Sequence, residues 1–249
     1  MNVPLLIPCF NQLTFTRNLV NWYRYYRPHD DIFILDQASS YPPLLKWYEK
    51  LKGESGIEVV RFWENKAKTH LKWMIEGTIA PRHRYYIISD PDVMPSPPTP
   101  PDFVDAFISL VESGYHHAGF CLKVDDIPVR AGLMRDMAME LEKDFWKSPV
   151  PFQWHGNSYV GYRAPIDTTF ALYKSSCGWE GPMRPEWWHN SIRMFDAYHL
   201  GWYVDAENPG EEMSFYFDSV SSANVCSESL VNHYRSPERR IEEEQCGKA

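Results

Sequence analysis

The first third of the chain alternates between short apolar runs and longer stretches with helical spacing. Val3–Ile7 (VPLLI) is an apolar run closed by Pro8. In LTFTRNLVNWYRYY, which follows, Leu19, Trp22, Tyr23 and Tyr26 recur at the spacing of one helix face. Asp31–Asp36 (DIFILD) reads as a second strand. SSYPPLLKWYEKLKG reads as a helix, with Ser and Pro at its start and Gly53 just past its end. IEVVRFW gives a third strand, NKAKTHLKWMIEG a third helix closing near Gly77, and YYIIS a fourth strand. Strands alternating with helices predict βαβ units, hence an α/β fold with a mostly parallel twisted sheet and helices on both faces.

The second half is less regular. Pro95–Pro101 (PSPPTPP) is expected to be a rigid, extended connector. DFVDAFISLVESG predicts a helix ending at Gly114. HAGFCLKV predicts a strand that stops at Asp125 and Asp126, and TTFALYKSS a further strand. The stretch 129–165 is expected to be irregular, and 177–235 aromatic and loop-rich. Residues 236–249 form a charged tail. This predicts one domain over 1–235, with halves 1–100 and 101–235.

Ligands of open α/β sheets bind outside the carboxyl ends of the strands. Polar residues collect there. Strand one runs into Pro8, Phe10 and Asn11, strand two ends at Asp36, and strand three runs into Asn65 and Lys66. Strand four ends in Asp90-Pro91-Asp92. Alternation in an extended segment puts residues i and i+2 on one side, and Pro91 prevents continuation as a central strand. Two carboxylates on one side repel unless a cation neutralises them. Hard oxygen ligands suit Mg²⁺ or Mn²⁺, which bridge carboxylates and substrate phosphates. An acidic turn is the plain alternative. Asp36 suits a ribose or a base, or else caps a turn with Ser39 and Ser40.

Bulk properties narrow the partners. The 249 residues carry a net charge of −8, and no Lys/Arg stripe occurs, which argues against nucleic acid. The five cysteines are odd in number and none has C-x-x-C spacing, so neither a disulfide framework nor a cysteine zinc site is expected. Neither a signal peptide nor a membrane-spanning apolar stretch is evident, so a cytoplasmic setting is expected. The high aromatic share suits ring binding as well as core filling.

In order, LLIPCFNQ, IFILDQASS, VVRFWENKAKTHLKW and YYIISDPDV resemble the donor half of GT-A fold glycosyltransferases of the family-two-like kind. AGFCLKVDDIP, APIDTTFALYK and YHLGWYVD are similar to a narrower group of small bacterial and large-DNA-virus enzymes, algal viruses included. The resemblance covers roughly residues 1–210 and implies a Rossmann-like sheet with an irregular, aromatic-rich acceptor half. It implies transfer of a sugar from a nucleotide diphosphate sugar, a UDP-sugar first, to the hydroxyl of a glycan or other acceptor. Pro8, Phe10, Asn11, Asp36, Asn65, Lys66 and Asp90 would face the donor. Asp92, with Asp90 directly or through water, would hold Mn²⁺ or Mg²⁺, and His199 would complete the site as a C-terminal histidine does in some relatives. Inversion needs a general base, for which Asp125, Asp126 and Asp167 are candidates, with Asp126 or Asp167 expected near the sugar. Relatives often carry N-x-G after the third strand, whereas here the residues are Asn65, Lys66 and Ala67. His70 and Lys72 would approach the donor or form a solvated helix face. Trp154, Trp187, Trp188 and Trp202 would stack on sugars or serve as anchors. A sugar-nucleotide nucleotidyltransferase would need a Gly-rich loop after strand one, which IPCFNQ lacks. A non-catalytic carbohydrate-binding protein would leave the strand-end acids unexplained, and a retaining enzyme would share the same donor half.

Overall fold

Leu5, Leu6, Ile7 and Cys9 have no exposed surface, because strand β1 (Leu5–Cys9) lies between β2 (Ile32–Gln37) and β4 (Tyr85–Ile88) in the sheet. The structure, a computed structural model, describes residues 1–166, 169–177, 179, 190–205 and 208–220. β3 (Ile57–Phe62) pairs with the outer side of β2. The intervening helices are α1 (Leu13–Tyr26), α2 (Pro42–Leu51) and α3 (Ala67–Met74). Thr16, Leu19, Val20 and Tyr23 form the buried stripe of α1, and Trp22 adds a half-buried ring 5.2 Å from Phe103. α2 opens on Pro42, and Gly53 beyond its end takes φ +88°, which suits a residue without Cβ. α3 does not close near Gly77 as expected. It runs on as a π-helical turn, Ile75–Ile79, because Ile75 and Ile79 are both buried against the sheet.

The remaining elements are β5 (Val93–Pro95), α4 (Phe103–Glu112), β6 (His117–Leu122), α5 (Leu133–Glu142), β7 (Pro149–Trp154), β8 (Asn157–Arg163), β9 (Ala171–Lys174), β10 (Ser191–His199) and α6 (Gly210–Ser219). The strands form one sheet in the order β3-β2-β1-β4-β9-β6-β10-β8-β7, with β5 paired to β10. The pairings make β1, β2, β3, β4, β6, β7 and β10 run one way and β5, β8 and β9 the other. The mostly parallel α/β sheet is therefore present. Strand alternation sends Leu5, Ile7 and Cys9 into a large core with α1, α2 and α4. It sends Leu6, Leu35 and Ile88 to a smaller one under α3.

Three expectations for the second half are corrected. Residues 129–165 are not irregular but contain α5 and the β7–β8 hairpin, joined by His155 and Gly156 with φ of 50° and 80°, a turn that matches strand twist. Pro149 and Pro151 are tolerated because β7 is an edge strand. The stretch 177–235 is not only loops, because β10 pairs with β6, β8 and β5 inside the sheet. Pro95–Pro101 is not a straight rod either. The chain bends at Pro97 and Pro98, and Thr99 Oγ1 donates to Ser96 O at 2.7 Å. No helix among the described residues is long and apolar enough to cross a membrane.

One buried group sets a pH limit on this fold. His117 on β6 lies flat against Tyr173 (5.0 Å between centroids) and is 3.1 Å from Ser191 Oγ. Burial, with smaller contributions from His116 and Arg193, pushes its imidazole down to about 4. The unfolded chain, with an ordinary histidine near 6.5, thus takes up the proton first. Stability is constant above that value and falls as pH drops toward 4, by up to about 3 kcal/mol. Urea denaturation at pH 7 and pH 4.5 should show this loss. His117→Phe should flatten that part of the profile, and an unchanged slope would remove His117 as its cause.

Candidate active site at the carboxyl edge of the sheet

β1, β2, β3, β4, β6 and β10 deliver their last residues to one edge. At the β1–β2 part of that edge, the two strongest polar candidates turn inward. Asn11 is fully buried with φ +53°. Its side-chain oxygen accepts from the amides of Ser40 (2.7 Å) and Tyr41 (2.9 Å), and its Nδ2 donates to Ser219 Oγ at 2.8 Å. Asn11 thereby ties the β1 end to the start of α2 and the end of α6. Asp36 is also fully buried. It accepts from Arg61 Nε (3.0 Å), Tyr48 OH (3.1 Å) and Ser39 N (3.3 Å). The group that this cluster presents to solvent is the Arg61 side chain, which is half exposed. Pro8 and Phe10 are half-buried at the end of β1, and Phe10 meets Tyr216 of α6 edge-on.

Gln37, the residue after Asp36, organises the next part of the edge. Its Nε2 donates to Leu35 O (2.8 Å), which fixes the amide so that Oε1 accepts. That oxygen receives Lys66 N at 3.2 Å and His70 Nδ1 at 2.7 Å. His70 lies flat on Phe62, 3.7 Å between centroids, and burial lowers its pKa, so it is a neutral fixed ring. Asn65 is half-buried, and Lys66 is exposed and paired with Glu64 at 2.8 Å. Lys72 lies on the solvated face, paired with Glu76. The sequence reading missed Gln37 and Arg61. Both lie inside segments that carry the resemblance, IFILDQASS and VVRFWENKAKTHLKW, and that was their signal.

The sharpest geometry lies after β4. The chain turns at Asp90-Pro91-Asp92 and re-enters the sheet as β5, antiparallel to the end of β10, with Val93 opposite His199. Leu200 N donates to Asp92 O at 2.6 Å. This register brings His199 Nδ1 to 3.3 Å from Asp92 Oδ2. The ring lies flat on Trp202, 4.5 Å between centroids, and Trp202 is itself buried. Among the described residues, buried His199 Nδ1 has no hydrogen-bond partner; the carboxylate approaches it without the alignment of a hydrogen bond. A Cβ on Gly201 would fall 2.6 Å from Asp92 Oδ2 and 3.4 Å from His199 Nδ1. A carboxylate oxygen and an unsatisfied imidazole nitrogen therefore share a gap that only glycine leaves open. That donor set fits a divalent cation. Asp90, two residues before Asp92, is half-buried, and among the described residues no group of three or more His, Cys, Asp or Glu is placed to hold a metal.

At the end of β6, Asp126 is engaged on both oxygens. Tyr203 OH donates to Oδ1 at 2.6 Å, and Lys123 Nζ lies 3.1 Å from Oδ2. Burial raises the Asp126 pKa, but the Tyr203 and Lys123 bonds outweigh it and the net direction is downward. The residue is held as a carboxylate and is a weakened base. Tyr203→Phe should raise the Asp126 pKa, measurable by ¹³C NMR titration of its carboxyl; no movement would mean that the Tyr203 bond does not set it. Asp167, Trp187 and Trp188 lie outside the described residues, as does the 236–249 tail. The segment before Asp167 is pinned, with Pro165 O accepting from Arg193 Nε at 2.8 Å and Ile166 fully buried. Trp154 donates from Nε1 to Asp102 Oδ2 at 2.9 Å on the β7–β8 hairpin.

The chain matches no known family profile and no curated protein. Among solved structures it is similar to Staphylococcus aureus TarS (residues 1–349) at 12% identity and TM-score 0.47, over 71% of this chain and 48% of that one. It is similar to the mannosyltransferase PcManGT from Pyrobaculum calidifontis, solved with GDP-Man and Mn²⁺, at 16% identity and TM-score 0.42, over 70% and 44%. A third is Mycobacterium tuberculosis glucosyl-3-phosphoglycerate synthase with Mn²⁺ and UDP-glucose, at 13% identity and TM-score 0.39, over 70% and 56%. The chain thus spans about half the length of the structures that it resembles.

Proposed function

We propose that this chain is a metal-dependent glycosyltransferase of the GT-A kind, moving a sugar from a nucleotide diphosphate sugar to an acceptor hydroxyl, with inversion. The observation that carries the reading is the Asp92–His199 pair at the carboxyl edge of the sheet, 3.3 Å apart under Gly201. Asp92 Oδ2 and His199 Nδ1 would hold Mn²⁺ or Mg²⁺, with Asp90 reaching it through water. Bound there, the cation supplies Lewis-acid stabilisation of the charge that builds on the leaving diphosphate. The chain's own residues do the rest. Trp202 fixes the ring plane of His199. Asp36, through its bonds to Arg61 and Tyr48, and Gln37, through Lys66 N and His70, shape the floor on which a nucleoside rests. Arg61 presents a cation at the rim. We assign the role of base to Asp167 over Asp126, because both oxygens of Asp126 are already engaged. A UDP-sugar is the first donor to try. The free thiols Cys9, Cys121 and Cys177 suit the reducing cytoplasm.

The structure bears on the other readings. The turn after β1 contains no glycine and is braced by the Asn11 side chain, so it offers no phosphate cradle of the nucleotidyltransferase kind. Trp154 and Trp202 are taken up in internal contacts, which removes two platforms from a non-catalytic sugar-binding reading. The test is incubation with UDP-, GDP- and dTDP-sugars, with Mn²⁺ or with chelator, followed by chromatography of the released nucleotide. Mn²⁺-dependent release of one nucleoside diphosphate is expected. Pyrophosphate-dependent nucleotide formation, or no release from any donor, would overturn the proposal.

A further inference from the structure

At the other end of β4, away from Asp92, a shallow cavity open to solvent, of about 570 Å³, is lined by Arg82, His83, Arg84, Lys174, Ser175 and Ser176. Its walls come from rigid parts of the fold. The turn that follows the π-helical end of α3 carries Arg82 and His83, whose amides both bond to Ile79 O. β4 and β9 pair antiparallel with Tyr85 opposite Lys174, so Arg84 and Lys174 stand at one mouth. Ser175 N donates to Arg84 O at 2.9 Å and Ser175 Oγ to His83 O at 2.6 Å, closing the frame.

The charge balance is uneven. Glu112, at the end of α4, receives Arg84 at 3.0 Å and Lys174 at 3.0 Å, and also accepts from Tyr85 OH. One carboxylate thus serves two cations. Arg82 is exposed and has no acidic partner among the described residues. Three permanent cations and one carboxylate meet here, in a chain whose net charge is −8. Folding has concentrated positive charge against the overall field, and nothing in the glycosyl-transfer reading uses it. Two guanidinium groups, an ammonium and the Ser176 hydroxyl on one lining supply the charge and the donors that a phosphate group takes.

We propose that this cavity is a second binding site, distinct from the Asp92 edge, for a phosphate group. The source is a soluble phosphate or phosphate ester, or the headgroup of an anionic lipid; the recognising chemistry is the same. Arg82 is the selective reporter, since its side chain is exposed and makes no ion pair among the described residues, so Arg82→Glu keeps the fold.

The experiment is calorimetric titration of the full chain with inorganic phosphate, at low salt and in chelator so that no metal-bound diphosphate site forms. Saturable millimolar binding is expected, weakened at least about tenfold by Arg82→Glu. Lys174→Gln should weaken it as well, whereas Asp92→Asn should leave it unchanged. Flotation with vesicles of phosphatidic acid or of phosphatidylcholine separates the sources. Arg82-dependent flotation with the former alone identifies a headgroup, and phosphate binding without flotation identifies a soluble ligand. Absence of both, equal binding by Arg82→Glu with an unchanged thermal midpoint, or loss of binding in Asp92→Asn would overturn the proposal.

Discussion

Asp92→Asn is expected to lower metal-dependent sugar transfer by about 10²–10³-fold, as removal of a charge-stabilising group does, while the protein stays folded. The two outcomes separate because Asp92 serves the fold and the site through different atoms. Its backbone oxygen accepts from Leu200 N and holds β5 beside the end of β10. Its side-chain oxygen faces His199 Nδ1. Asparagine keeps the backbone bond and the volume but replaces one oxygen by an NH₂ group and removes the negative charge. A cation held by a carboxylate and one imidazole then loses its only anionic protein ligand in the pair. Gly201→Ala is the companion variant. Its methyl would meet Asp92 Oδ2 at 2.6 Å, so the carboxylate must move while its charge remains. Mn²⁺ binding followed by paramagnetic resonance should weaken in both variants, with circular dichroism unchanged. Full turnover in Asp92→Asn, or equal turnover of the wild type in saturating chelator, would sink the metal-dependent mechanism.

How far this site was legible in the sequence depends on how local each signal is. β1 through β4 and their helices were readable because each strand is a short apolar run and each helix has an apolar stripe. β10 was not readable. Arg193 and Asp196 interrupt its apolar pattern, and the pairing with β6 shifts register between those two residues, where Phe195 takes φ +59°. A bulge of this kind breaks the two-residue period on which strand recognition rests. The hairpin was hidden by the prolines of β7. Candidate residues divide in the same way. Asp92 was legible from Asp-Pro-Asp, but its partnership with His199 depends on β5 pairing with β10, a contact between distant segments that no local pattern encodes. Asn11 and Asp36 were correctly placed at strand ends. Their orientation was not legible, because a polar residue there satisfies either a ligand or the neighbouring loop. Gly201 had no role assigned from the sequence, and the positions of the Asp92 carboxylate and the His199 ring give it one.

Removing one partner of the Glu142–Arg193 pair is expected to destabilise the fold by about 3–5 kcal/mol, the usual effect of stranding a buried charge. The two side chains are 5% and 4% exposed, with Arg193 Nη1 2.7 Å from Glu142 Oε2. The guanidinium also lies over the Phe145 ring at 4.5 Å and donates from Nε to Pro165 O. Burial raises the Glu142 pKa more than Arg193 lowers it, so the carboxylate relies on this cation to remain charged. Arg193→Ala should therefore lower the urea midpoint strongly. Arg193→Met combined with Glu142→Leu should recover most of the loss, because packed apolar side chains can replace a buried ion pair at little cost. The double variant then isolates the second role of Arg193. Without the guanidinium, the Pro165 carbonyl loses its donor, and the segment leading to Asp167 is left tied to β10 through the β8 pairing at Arg163. Stability should return in the double variant while turnover stays reduced, with donor KM nearly unchanged because Asp36, Gln37 and Asp92 are untouched. If turnover recovers together with stability, the bond to Pro165 positions nothing that the reaction needs. If stability does not recover, the pair acts through more than its charge.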